Sequence, residues 1–312
     1  MPIQLLCVNL RKSIVSHVNV KSMGKFINPF TDIGFKRIFG QEISKPLLLD
    51  FLNNLLKGEK VITNITFLDK EQPSEYRDDR SLIYDVFCET DDNERIIVEM
   101  QNREHPNFAS RCLYYASQAI SRQGERGPEW WYNINAVYMI AFVNFYMDEL
   151  DDNFRTDVEL VERQTGRVFT DKERFIFLQL PCFTKDADEC GNDFERWIYL
   201  LKNMETLDRM PWAAKDSVFR RLAELGEVSN MTKEERMKYD SALRHYRDTI
   251  VVMQGAVDKG RAEGRAEGRA EGRAEGRAEA NLSIARNLKA MGLLPTDIAK
   301  ATGLSLGEIE KL

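Results

Sequence analysis

The order of hydrophobic patterns along this chain predicts an α/β fold, a sheet with helices packed against it, continued by a helical C-terminal extension. Three observations carry that reading. Three strand-like runs lie close together within residues 61–101, a fourth apolar run at 136–143 follows a strongly helical stretch, and from residue 211 the periodicity is helical with dense charge. A chain of 312 residues is long enough to bury a large core.

The elements follow in order. In residues 24–40, Asn28-Pro29 reads as a turn, Thr31 or Asp32 as a helix N-cap, and Phe35, Ile38 and Phe39 as the apolar stripe of a short helix that Gly40 ends. Lys36 and Arg37 are expected on its polar side. Residues 45–56 place Leu48, Leu49, Phe51, Leu52, Leu55 and Leu56 at helical spacing, and Gly58 stops that helix. A β-rich run covers 61–68, a charged loop covers 69–80, and two runs, 82–88 and 95–101, flank Asp91, Asp92 and Asn93, residue types that close a β-hairpin. After a polar connection with Pro106, residues 108–123 form a helix with Phe108, Cys112, Tyr115 and Ala119 near one face. Arg111, Tyr114 and Gln118 lie close enough to that face to look back at the strands. The run 136–143 reads as a strand buried on both sides. Residues 173–180 are a further strand ended by Pro181, and 193–204 an amphipathic helix with Trp197, Leu200, Leu201 and Met204. Gly226 marks a break in the helical region 211–254.

This divides the chain into a loose N-terminal extension (1–22), a main domain (23–212), a charged helical region (213–259), a repeat (260–280) and a C-terminal helical hairpin (281–312). The repeat is five copies of G-R-A-E. A helix there would stack like charges at i,i+4 and carry a glycine every fourth position, at ~1 kcal/mol each relative to alanine. The tract is therefore a flexible spacer or a helix rescued by partner chains, and a self-associating helical spacer in a homo-oligomer is the favoured form. In the tail, Thr296 caps one helix, 302–304 makes a turn and Ser305 caps another, the shape of a helix-turn-helix. Glu308 and Glu310 against a single Lys311 make a poor face for phosphates, so packing or oligomerisation ranks ahead of groove reading.

Composition excludes several classes. The 43% hydrophobic and 30% charged content is that of a soluble globular protein, and no apolar run approaches the ~18 residues of a spanning helix. The first residues lack the pattern of a secretory signal. Five scattered cysteines without C-x-x-C spacing support neither a disulfide framework nor a zinc site, and fit a reducing cytoplasm. The net charge of −6 conceals a gradient: nine Lys/Arg against four Asp/Glu in residues 1–60, then six against twelve in 61–120. A local phosphate-contacting surface is compatible with that sum.

The candidate chemistry lies in the hairpin. Asp85 and Glu99 sit inside segments whose other residues belong in a core. On alternating strands Ile83, Asp85 and Phe87 share one face, as do Ile97, Glu99 and Gln101. If those faces coincide, two carboxylates converge, which requires pairing, hydrogen bonding or a metal ion. Asp85, Glu99 and the Met100 carbonyl would satisfy Mg2+, with Mn2+ or Ca2+ as alternatives, while Gln101 would orient a water or a phosphate. Edge carboxylates or a structural salt bridge are the other reading of the same spacing.

At these residues the sequence resembles a known family. T-D-I-G-F-K-R-I-F-G (31–40), Y-D (84–85), I-I-V-E-M-Q (96–101) and F-x-x-R-x-x-Y-Y (108–115) look like the successive signatures of the Rpn recombination-promoting nucleases, also described as transposases, of the PD-(D/E)XK superfamily. The resemblance spans about residues 25–212, and the repeat and terminal hairpin are also similar to the family's tails. It implies a restriction-endonuclease-like core with a mixed central sheet flanked by helices, magnesium-dependent DNA cleavage, and a place for Asp32 in the active site. It departs from the superfamily pattern in two places: Tyr84 stands where a proline precedes the first acid, and Gln101 where a lysine is usual. Lys36, one turn beyond Asp32, would restore a positive charge, with Arg37, Arg111 and Tyr114 as DNA contacts. The competing reading is a catalytically weak or inactive nuclease-fold protein that acts as an oligomerising or DNA-associated interaction module.

Overall fold

The computed structural model describes residues 24–72, 82–125, 127 and 129–312. The expected extension 1–22 and residues 73–80 of the charged loop lie outside the described residues. These fall into two compact units divided between Tyr246 and Arg247.

In the first unit, α1 (Asp32–Phe39) and α2 (Lys45–Leu55) precede β1 (Ile65–Phe67), β2 (Glu71–Gln72), β3 (Leu82–Ile83), β4 (Val86–Thr90) and β5 (Arg95–Gln101). Then come α3 (Phe108–Ser121), β6 (Val137–Val143), β7 (Arg155–Val161), β8 (Val168–Gln179), α4 (Asp193–Asn203), α5 (Ser217–Gly226) and the start of α6 (Lys233–Ala290). Six strands form one mixed sheet in the order β1-β4-β5-β6-β8-β7, while β2 and β3 pair separately. The centre of the sheet is parallel, β5 with β6 and β6 with β8, and its flanks are antiparallel. It is the mixed sheet flanked by helices expected of a restriction-endonuclease-like α/β fold.

Strand alternation sorts the core into two layers. Val98, Ile140, Phe142, Ile176 and Leu178 face α1, α2, α4 and α5, whereas Ile97, Met139, Ala141 and Phe177 face α3. On the first face the Phe142 ring lies 5.8 Å from Phe35 and 5.3 Å from Phe51, and the fully buried Trp197 packs on Phe39 at 5.8 Å. Truncating such a side chain to alanine costs about 3–5 kcal/mol. The helices that carry the site are thereby fixed from opposite sides of the sheet.

Three departures from the sequence expectations have physical causes. The run 61–68 shortens to Ile65–Phe67 because the Asn53 side chain brackets Ile62, donating to its carbonyl at 2.8 Å and accepting from its N–H at 2.7 Å, in place of a neighbouring strand. The run 82–88 is not one strand: β3 leaves to pair with β2, and the chain bends at Asp85 before β4 begins. Tyr84 and Phe87 therefore pack together, ring centroids 4.8 Å apart, while Ile83 is exposed, so simple alternation fails across Asp85. Finally, β7 carries no buried run to betray it, because it is the sheet's outer strand and most of its residues are exposed.

In the second unit, α6 includes the whole G-R-A-E tract, exposed throughout. The tail forms α7 (Pro295–Thr302) and α8 (Leu306–Glu310). Ala285, Ile298 and Ile309 make a small core with Leu288 and Leu304. Gly303, at φ +74°, turns the chain, and Ser305 with Glu308 forms a capping box. Thr296 is not the cap: Leu294 holds that position and Pro295 begins the helix. Cys88, Cys112, Cys182 and Cys190 are free thiols.

Candidate active site

The β4–β5 register pairs Val86 with Val98, so its continuation sets Asp85 opposite Glu99. Because the chain bends there, the two residues meet through backbone as well as side chains. The Asp85 N–H donates to Glu99 Oε1 at 3.1 Å, and the Met100 N–H donates to Asp85 Oδ2 at 2.9 Å. In a strand, a residue's N–H and C=O leave on the same side, so the Met100 carbonyl leaves β5 on the side of β4.

The electrostatics of this pair are unfavourable as they stand. Glu99 is 5% exposed. Burial, and then the negative charge of Asp85, push its carboxyl up to about 8. Burial raises Asp85 also, against the Met100 N–H, which favours its charged form. Two desolvated acids side by side, relieved by backbone donors and by cations acting at longer range, lack a compensating positive charge.

Two helices bring charge to the pair. From one face, α1 supplies Asp32 and Lys36, which form an ion pair one turn apart. Thr31, not Asp32, is the N-cap, accepting from the Gly34 N–H at 3.0 Å, so Asp32 is free of the capping role. The charges of Lys36 and Asp32 are both felt at Asp85, in opposite senses. From the other face, α3 supplies Arg111, which favours ionisation of both acids. Its guanidinium donates to Gln101 Oε1 at 2.7 Å and lies over the rings of Phe108 and Tyr115, at 5.0 and 5.8 Å. Gln101 Nε2 donates to the Arg103 carbonyl at 2.8 Å, so both ends of that amide are engaged. Tyr114 is exposed on α3.

Arg37 requires a correction. Instead of lying beside Lys36 on a polar face, it is 9% exposed, donating to the Leu225 carbonyl and to Glu235, both at 2.7 Å. The sequence of α1 shows one apolar stripe. It gives no sign that α5 and α6 cover a second side of the helix and engage this guanidinium. Asn102 was overlooked in the sequence, although it directly follows the strand bearing Glu99 and Gln101. Its Nδ2 donates to the Phe30 carbonyl at 2.6 Å and ties the end of β5 to the turn before α1. A polar cavity between Glu89, Arg95, Arg122 and Trp130 opens at the other end of β5 and contains none of these residues.

Among the described residues no group of three or more His, Cys, Asp and Glu side chains is gathered closely enough to hold a metal ion. The donor set here is instead two acids and a main-chain carbonyl, all hard oxygen ligands, and the missing positive charge at Asp85 and Glu99 is what a hard divalent cation supplies. The residues fit such an ion.

A family model described as PD-(D/E)XK nuclease family transposase matches residues 29–256. That span holds every residue of the cluster. The chain belongs to this family. A PD-(D/E)XK nuclease family transposase has a nuclease-like function, and nucleases of this type typically use divalent metals and act on DNA. No curated protein and no solved structure matches the chain. Among the described residues no helix is long and apolar enough to cross a membrane.

Proposed function

We propose that this chain is a divalent-metal-dependent DNA endonuclease of the cytoplasm, with Mg2+ as its expected ion, held by Asp85, Glu99 and the Met100 carbonyl. The observation that carries the reading is the raised, buried Glu99 hydrogen-bonded to Asp85, an arrangement unfavourable without a cation and suited to one. Bound there, a divalent ion supplies a Lewis acid for a phosphodiester and lowers the pKa of a water. Lys36, held by Asp32, offsets the growing charge on the phosphate. Arg111 does the same from α3, its guanidinium held by Gln101. Gln101 thus acts by seating Arg111, and two cations from flanking helices together replace the lysine usual at its position. Tyr114, exposed beside Arg111, extends the DNA-contacting face.

Plasmid nicking with Mg2+ by the wild type and by Asp85→Ala tests the assignment. Loss of nicking in the variant is expected, and equal nicking by both would sink it. Absence of nicking in both would favour the non-catalytic interaction module. Self-association through the G-R-A-E stretch belongs to the same proposal, because its Arg and Glu stripes are exposed on α6. Sedimentation of the full chain at low and high salt tests it, and a monomer at both removes it.

A further inference from the structure

The cleavage reading requires α1, which carries Asp32 and Lys36, to keep a fixed place beside the strand ends that carry Asp85 and Glu99. Other helices fasten α1 from one direction. Arg37 donates to the Leu225 carbonyl and to Glu235, both at 2.7 Å, and the Asn28 N–H, just before the helix, donates to the Tyr239 hydroxyl on α6 at 2.8 Å. Those bonds hold α1 among the helices and do not reach the sheet. Asn102, the residue after β5, makes one that does: its Nδ2 donates to the Phe30 carbonyl at 2.6 Å.

The bond falls where it has leverage. Phe30 directly precedes Thr31, the N-cap of α1, and the Thr31 carbonyl accepts from the Phe35 N–H, so the Phe30 carbonyl stands outside the helix ladder and needs another donor. The turn around it is stiff. Asn28 Oδ1 accepts from the Phe30 N–H at 2.8 Å, the Asn28 carbonyl accepts from the Thr31 hydroxyl at 2.9 Å, and a Cβ on Gly34 would collide with that same carbonyl. Displacing Phe30 therefore displaces the first turn of α1, with Asp32 on it and Lys36 one turn further on. At the other end of the tie, Asn102 follows Gln101 and lies three residues beyond Glu99.

The amide itself argues that the bond, and not packing, accounts for this side chain. Only Nδ2 can face the Phe30 carbonyl, because Oδ1 would repel it. Oδ1 is then buried with no hydrogen-bond partner among the described residues. An unpaired buried acceptor carries a cost that an apolar side chain of similar shape avoids, so leucine would fill the space more cheaply unless the Nδ2 bond were needed. We infer that Asn102 is a positioning residue for cleavage, its amide fixing the start of α1 to the end of β5 so that Asp32 and Lys36 are presented to the carboxylate pair. The catalytic consequence rests on the nuclease reading, and the tie rests on the hydrogen bond.

Asn102→Leu in the full chain keeps the volume and removes the donor, whereas Asn102→Ala removes both. In plasmid cleavage with Mg2+, both variants are expected to lose about tenfold in kcat with KM within twofold, because a group on α1 is misplaced while substrate still binds. Full activity in Asn102→Leu would overturn the inference, since filled space would then suffice. Mn2+ affinity should stay within twofold, and a tenfold loss would overturn it as well, because the side chain would then act on the carboxylates instead of α1. In a double-mutant cycle, Asn102→Leu should cost less than twofold once Lys36→Ala is present, and a further tenfold loss would show that it does not act through α1. Hydrogen exchange of the α1 amides should quicken about tenfold in both variants with the β5 amides unchanged. Unchanged exchange in α1 would overturn the tie independently of activity. A wild type that does not cleave would overturn the nuclease reading and the catalytic consequence, while exchange would still decide the tie. Asn230→Ala serves as the control: its Nδ2 also donates to a carbonyl, that of Glu224 at 2.8 Å, and its loss should alter neither readout.

Discussion

Two charged clusters on the same sheet contrast sharply in how their acids are satisfied. At the outer edge, Asp157 on β7 accepts from Arg155 at 2.7 Å and from Arg174 Nε at 3.2 Å, and Glu59 pairs with the same two arginines. Hydrogen bonding from Arg174 holds Glu59 below its ordinary value. Burial alone would raise Asp157, yet the two guanidinium donors hold it below its ordinary value too. At the end of β5 the balance is reversed: Asp85 and Glu99 receive main-chain donors, their cations act from α1 and α3 without salt-bridging either acid, and both carboxyls are raised. Acids that are matched by arginines hold an edge together. Acids buried against each other beside partly committed cations are left in the environment that a further positive charge would relieve, which is the basis of the proposed metal site.

The largest expected effect breaks the proposed metal site itself. Asp85→Ala should lower plasmid cleavage by about 1,000-fold or more, because a metal ligand set is worth several kcal/mol to a phosphoryl transition state. Supercoil-to-nicked conversion with Mg2+ measures it, and the companion Asp157→Ala at the edge should leave the rate within about twofold. Next, Lys36→Ala should slow cleavage about 100-fold while Mn2+ binding is retained, the behaviour of a group that stabilises developing charge without ligating the ion. An unchanged rate would remove Lys36 from the site and leave Arg111 as its cation.

The same contrast predicts opposite pH dependences of stability. Glu99 is raised in the folded state, so the native protein without added metal keeps a proton that the unfolded chain releases. Its stability is fully present below the ordinary value of 4.5 and is lost as pH rises towards about 8. The melting temperature in chelator should therefore fall across that interval, and Glu99→Gln should flatten the fall. Divalent cation should raise it again at the high-pH end, in proportion to the logarithm of its concentration. A melting temperature independent of pH in the wild type would contradict the electrostatic account of the pair.

Much of this was legible in the sequence, for identifiable reasons. Asp85 and Glu99 stood out because carboxylates interrupt apolar runs, and the hairpin between them fixes their register through a short turn. The α1 helix was readable from its cap, its stripe and Gly40. Of Thr31 and Asp32, both readable as the cap, the geometry gives the cap to Thr31. What could not be read depends on contacts distant in sequence: Arg37 meets Glu235 across 198 positions, and Asn28 meets Tyr239 across 211. The bend at Asp85 was hidden for a related reason, since β3 is drawn away by β2 and local alternation carries no record of that partner.

The smallest effect sharpens the comparison from the edge side. Asp157→Asn removes a carboxylate that is lowered in the folded state, so its stabilisation is present above the ordinary value of 3.8 and disappears as pH falls through the lower folded value. Because Asp157 is partly exposed at the sheet's edge and its partners are long side chains that are costly to order, the loss at neutral pH should be ~1 kcal/mol or less. In a unit of this size that is a shift of about 2–4 °C in melting temperature. The difference between variant and wild type should vanish in strong acid, whereas the Glu99→Gln difference should grow with pH and level off only above about 8. Cleavage should be unaffected. If Asp157→Asn instead slowed cleavage as Lys36→Ala does, the two clusters would be coupled through the sheet, and the edge network could no longer be treated as purely structural.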